Sequence, residues 1–185
     1  MPAITCCLAT NLDQYCFYTP SRNRAEGKED LEQYKTTQNL RDYLAKLERW
    51  FARPIVRGEH PTLYTGNSSN KQLVCGIQRD DYMFSADGNW ILPSRSHGLS
   101  FSAHWQHLKG IHRLKSKRNP GKQISVYWLL SSADLPSGLE FVPTPDNPQH
   151  CLLCVTTAMR VQELREKLIW VGDRMAVIED AQVAL

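Results

Sequence analysis

Residues 150–171 change their hydrophobic period once, and that step limits what the chain can fold into. His150-Cys-Leu-Leu-Cys-Val155 is an apolar run of strand length, followed by Thr156 and Thr157, either of which suits a helix cap. Beyond them Val161, Leu164, Leu168 and Val171 recur at three- and four-residue steps. That spacing predicts an amphipathic helix with one apolar stripe, and the stripe needs a sheet to cover.

The rest of the chain supplies strands for that sheet. "QISVYWLL" (123–130) is the most strand-like stretch, and "GLSFSAHW" (98–105) alternates small polar with apolar residues, as a half-buried strand does. Asp87-Gly88 lies between two apolar runs and predicts a hairpin, because glycine accepts the positive φ of a tight turn. Short strands are also predicted for "AITCCLAT", "QYCFYTP", "PIVRG", "PTLYTG" and "LVCGI", with "NSSNKQ" as a polar loop. A second helix is predicted from about Lys28, where Leu31, Tyr34, Leu40, Tyr43, Leu44, Leu47, Trp50 and Phe51 keep helical spacing and Pro54 bounds it. Strands in the majority with two substantial helices make an α+β chain. No internal repeat or linker divides it, so one domain over residues 1–185 is expected.

Composition narrows the class. With 42% hydrophobic and 22% charged residues, the 185-residue chain is globular in type. No apolar run is long enough to span a bilayer, and the start lacks the basic flank of a secretory signal, so a soluble, cytoplasmic protein without Sec-type export is expected. Six cysteines, two of them adjacent at 6 and 7, are too sparse for a disulfide framework and point to reduced, buried thiols. Net charge is only +3, but Lys109, Arg113, Lys115, Lys117, Arg118 and Lys122 come without an intervening acid.

Several constellations offer chemistry. Cys151 and Cys154 have Cys-x-x-Cys spacing, yet they sit inside a strand pattern rather than at a helix N-terminus, which does not favour thiolate. As zinc ligands they would need His104 and His107, and no second Cys-x-x-Cys exists, so no metal site is expected. The basic segment 109–122, with Trp105, Tyr127 and Trp128 nearby, suits a non-enzymatic nucleic-acid-binding module; the competing expectation is a solvated hairpin loop whose aromatics belong to the core.

"HGLSFSAHW", "LPSGLEF", "PDNPQH" and "HCLLCVTTAM", followed by the C-terminal helix, resemble the catalytic half of small ADP-ribosyltransferase-like toxins delivered by bacterial type VI secretion. The match in order runs through Gly98 and Ser100, then Leu135-Pro136 and Leu139, then Asp146 and Asn147, then His150 to Met159, and covers about residues 98–172. The resemblance implies a split, strongly bent β-sandwich whose cleft grips NAD and favours loss of nicotinamide. It also implies toxin activity by transfer or NAD hydrolysis in a recipient's cytoplasm, an intracellular target, and a cognate immunity protein as partner.

By that resemblance Ser100 and Ser102 brace the cleft, and their i, i+2 spacing places both on one strand face. His150 stands at the mouth of the following strand, as a catalytic group with the two serines. Gly98, Ser100 and Asn147 fall in the cofactor-binding segments. The cation for NAD is Arg57, after an apolar strand and before Gly58, or its rival Arg22. The chain has no Glu-x-Glu pair, the usual acid of such transferases, so His150 takes that place.

Overall fold

The computed structural model describes residues 41–42, 44–45, 49–65, 72–131 and 133–178. The two N-terminal strands expected from "AITCCLAT" and "QYCFYTP", Arg22, most of the helix expected from Lys28 and most of the loop "NSSNKQ" lie outside these residues.

Of the helix expected to reach Phe51, residues 41–42 and 44–45 are helical, and buried Leu44 packs with Trp50. Trp50 and Phe51 instead begin strand β1 (Trp50–Val56), and Pro54 lies within it rather than bounding a helix. Trp50, Ala52 and Val126 belong to one core cluster, whereas Ile55 and Phe51 pack in the other. A strand buried on both faces shows no alternation, so its start reads as a continuation of helical spacing. β1 pairs with β6 from Trp50 to Val56 but with β5 only at Ala52–Ser102. Past Ala52 the ladder is one-sided, which lowers the penalty for a proline without an N–H.

Six strands form the main sheet in the order β10-β6-β1-β5-β8-β7, antiparallel throughout. They are β5 (Gly98–Ser102), β6 (Ile124–Leu130), β7 (Leu139–Thr144), β8 (Asn147–Val155) and β10 (Ala176–Ile178), with β1. "LVCGI" is not one strand but a hairpin of β2 (Leu73–Val74) and β3 (Ile77–Gln78), turning at Cys75 (φ 52°) and Gly76 (φ 79°). Positive φ at both turn residues is the type I′ signature. Residues 61–65 of "PTLYTG" are not strand. The Asp87-Gly88 turn holds, with Phe84 bridging Ile91, and β4 (Trp90–Ile91) pairs with β9 (Met159–Arg160).

Helices cover both faces. α2 (Val161–Arg174) buries Val161, Leu164, Leu168 and Val171, the expected stripe, in a cluster with Leu99, Phe101 and Leu153. At about 2 kcal/mol per buried aliphatic side chain, those four contribute about 8 kcal/mol of transfer free energy. β9 intervenes before this helix, so its N-cap is Arg160 and not a threonine, with no side-chain cap bond. The opposite face carries α1 (Trp105–Arg118), whose Leu108 packs with Trp50, Ala52, Val126 and Trp128.

α1 corrects the expected solvated loop, since most of the basic segment is helix and only 119–122 turns. Leu108 and His112 are its only fully buried side chains, too thin a stripe for periodicity to reveal. His104 caps its start by accepting from the Gln106 N–H, while Lys115, Lys117 and Arg118 in the last turn suit the negative end of the helix dipole. The α+β class therefore holds, with two full helices among the described residues of which only α2 was expected, and the described strands form one wide sheet with two ribbons. No helix among the described residues is long and apolar enough to cross a membrane.

Candidate functional site

β5 enters α1 through only Ala103 and His104, so the end of β5 and the first turn of the helix are held together. Ser102, the last residue of β5, pairs directly with His150 of β8. Directly opposed residues in an antiparallel pair share a face. The Ser102 hydroxyl lies 2.8 Å from His107 Nδ1 on that first turn, and the His107 and His150 rings are 5.4 Å apart between centroids. A serine hydroxyl and two imidazoles from three elements therefore meet at one point.

Burial sets their protonation. His107 is held below the ordinary imidazole value first by burial and then by the positive charges of His150 and His104. His150 is lowered by burial. Both rings are then neutral near pH 7, each offering one N–H and one lone pair. Ser102 itself is 2% exposed, so its hydroxyl is fixed rather than free to rotate in solvent.

Ser100 pairs with Leu152 and Gly98 with Cys154, so both share the face of Ser102 and His150. α1 lies mainly over β1, leaving Ser100 exposed. From Ser102 to Gly98 this face runs about 13 Å at the usual rise per strand residue. At its far end Glu140, opposite Cys154, is paired with the exposed Arg95 at 3.3 Å. Ser94 and Ser96 there bond His97 Nδ1 at 2.9 and 3.1 Å. No Asp or Glu occurs between Asp87 and Asp134, the segment that builds β4, β5, α1 and β6.

Other expected site residues lie elsewhere or have other roles. Arg57 follows β1 at the end away from Ala52, the partner of Ser102, and is exposed with its guanidinium on the Gln123 side chain. Asn147 opens β8, where its Oδ1 accepts from the Gln149 N–H and shapes the β7–β8 turn. At Gly98 a Cβ would stand 2.5 Å from the Leu153 carbonyl oxygen, so a glycine lets β5 and β8 approach.

The two thiols point apart, Cys151 opposite Phe101 and Cys154 opposite Gly98, on opposite faces of β8. Burial raises both, Cys154 to about 11, which keeps them as thiols. Among the described residues no group of three or more His, Cys, Asp or Glu is placed to hold a metal. His104 is a helix cap, and Tyr127 and Trp128 are core residues, unable to stack on bases.

His107 is the functional candidate that sequence reasoning missed; it had been weighed only as a metal ligand. Its i+5 offset from Ser102 is meaningless until the chain turns from strand to helix between them. A cavity of about 260 Å³ adjoins this turn, lined by Arg41, Leu44, Trp50, Ala103, His104 and Gln106 among others. Comparison with protein-family models, with curated proteins and with solved structures gave no match.

Proposed function

We propose that the chain is a toxin-like enzyme of the ADP-ribosyltransferase type, binding NAD and either transferring ADP-ribose to an intracellular target or hydrolysing the dinucleotide. The observation that carries this reading is the convergence of Ser102 and His150, with Ser100 beside them, on one sheet face where Ser100 is exposed, His150 half-buried and Ser102 buried against His107. Three residues from two distant sequence motifs share a surface because β5 and β8 are neighbours in that register.

The donor set suits a nicotinamide riboside. The exposed Ser100 hydroxyl would hold a ribose hydroxyl or the carboxamide, while buried Ser102 would act through His107, whose ring it orients beside His150. NAD, once bound, supplies a ribose carbon that becomes electron-poor as nicotinamide departs. The neutral His150 imidazole would place a lone pair there, in the role that a carboxylate fills in other transferases. For the pyrophosphate, Arg95 at the Gly98 end of the same face is better placed than Arg57. The ADP-ribosyltransferase-type fold, delivery into a recipient's cytoplasm and a cognate immunity protein belong to this same proposal.

Calorimetric titration with NAD, with NAD consumption followed in parallel, tests it. His150→Asn should lower turnover about 100-fold or more, the usual loss for a positioned general acid–base group, with little change in melting temperature. A wild-type protein that neither binds nor consumes NAD at millimolar concentration sinks the reading.

A further inference from the structure

Three cations of α1, half-buried Lys109 and exposed Arg113 and Lys117, keep step with the helix. Lys109, Arg113 and Lys117 are four residues apart, so they stand in one stripe with about 6 Å of rise between successive charges. Gln106 and Gly110 complete that side, while Arg118 in the last turn falls on the other flank, four residues after Leu114, and Lys122 follows the helix. The helix's exposed apolar residues, Ile111 (37% exposed) and Leu114 (42%), belong to a different flank. They follow His107 at i+4 and i+7, on the side that meets β5.

This separation argues for one kind of partner. A protein interface centres on apolar or aromatic anchors, and a membrane-surface helix sets its apolar flank against the bilayer between its cations. The Lys109–Arg113–Lys117 stripe contains neither an anchor nor an acid. A phosphate backbone asks only for cations at regular spacing. Single-stranded chains are held chiefly by stacking, which buried Tyr127 and Trp128 do not offer and for which half-buried Trp105, packed against the core, presents only part of its ring. At its N-terminal end the stripe reaches Gln106, at the rim of the cavity near Ser102.

We infer that α1 docks the phosphate backbone of a double-stranded nucleic acid beside the Ser102–His107–His150 site. On the NAD-dependent reading, on which this clause alone rests, that duplex is the acceptor.

Docking is measured without NAD, so its outcome is separate from that of the transferase reading. Labelled 20-base-pair RNA and DNA duplexes are titrated with the full chain and with Lys109→Gln/Arg113→Gln/Lys117→Gln between about 50 and 200 mM salt. Each phosphate contact contributes about −0.9 to the slope of log affinity against log salt, so three contribute about −2.7. Over that fourfold salt range the wild type should therefore lose about 40-fold more affinity than the variant. A melting curve and far-ultraviolet circular dichroism spectrum matching the wild type show that the variant's fold is kept. Equal slopes overturn the inference. So does tighter binding to a single strand of the same sequence, to poly-glutamate of matched charge, or to vesicles rich in anionic lipid.

Discussion

Gly98→Ala separates packing from ligand contact at the strand that carries Ser100 and Ser102. The added Cβ would meet the Leu153 oxygen at 2.5 Å, its carbonyl carbon at 2.8 Å and Cys154 N at 3.1 Å, all backbone atoms of β8 that cannot rotate aside. To restore ordinary contact near 3.4 Å, β5 and β8 must part by about 1 Å at this pair. Overpacking of this kind costs about 1–3 kcal/mol, and weakening one ladder hydrogen bond adds about 1 kcal/mol. A total of about 2–4 kcal/mol lowers the melting temperature of a chain this size by about 10 °C. Thermal unfolding by circular dichroism reads the shift, and an NAD titration well below the transition reads the site. An unchanged melting temperature would refute the close-packing argument. Loss of NAD binding with unchanged melting would instead make Gly98 a ligand contact.

Four further outcomes are expected. His60 is held at about 4, first by burial, so as pH falls from about 6.5 to 4 the unfolded chain takes up a proton before the folded one. Stability should fall by up to about 3 kcal/mol across that window, less with solvent screening, and stay flat above it. His60→Asn keeps an acceptor for the Thr62 and Leu63 N–H groups and should flatten this dependence in urea titrations at several pH values. Ser102→Ala removes the bond to His107, costing about 1 kcal/mol, and should raise accessibility of that imidazole in a proton NMR titration; an unaltered His107 titration contradicts the contact. Leu164→Ala, at a fully buried position, should destabilise by about 2–5 kcal/mol in chemical denaturation. Cys151→Ala/Cys154→Ala should cost about 1 kcal/mol per site while keeping NAD binding, and chelator should leave the wild-type melting curve in place; a chelator-induced drop would restore a metal role.

The parts of this fold that showed in the sequence are those with one-sided burial or with a dense β-branched and aromatic run. α2 was legible because Val161, Leu164, Leu168 and Val171 face a sheet and the intervening residues face water. β5, β6 and β8 were legible from alternation or from length and β-branched content. β1 was not, because burial on both faces removes the alternation that marks a strand. α1 was not, because two buried residues make too faint a stripe among so many cations. Ser100, Ser102 and His150 could be picked out by motif, but their proximity could not, nor could the remoteness of Arg57.

Local sequence by itself determined the extended runs of β5, β6 and β8 and the helix α2, because hydrophobic period and turn chemistry act over a few residues. It also determined an acid-free basic stretch, and its expectation of unbridged cysteines holds for Cys75, Cys151 and Cys154 among the described residues. Only the tertiary structure decided that β5 lies beside β8 in the register that opposes Ser102 to His150, and that α1 folds back to bring His107 between them. That choice is made by long-range packing of Leu99, Phe101 and Leu153 against α2, an energy summed over residues far apart in the chain, which no local pattern records.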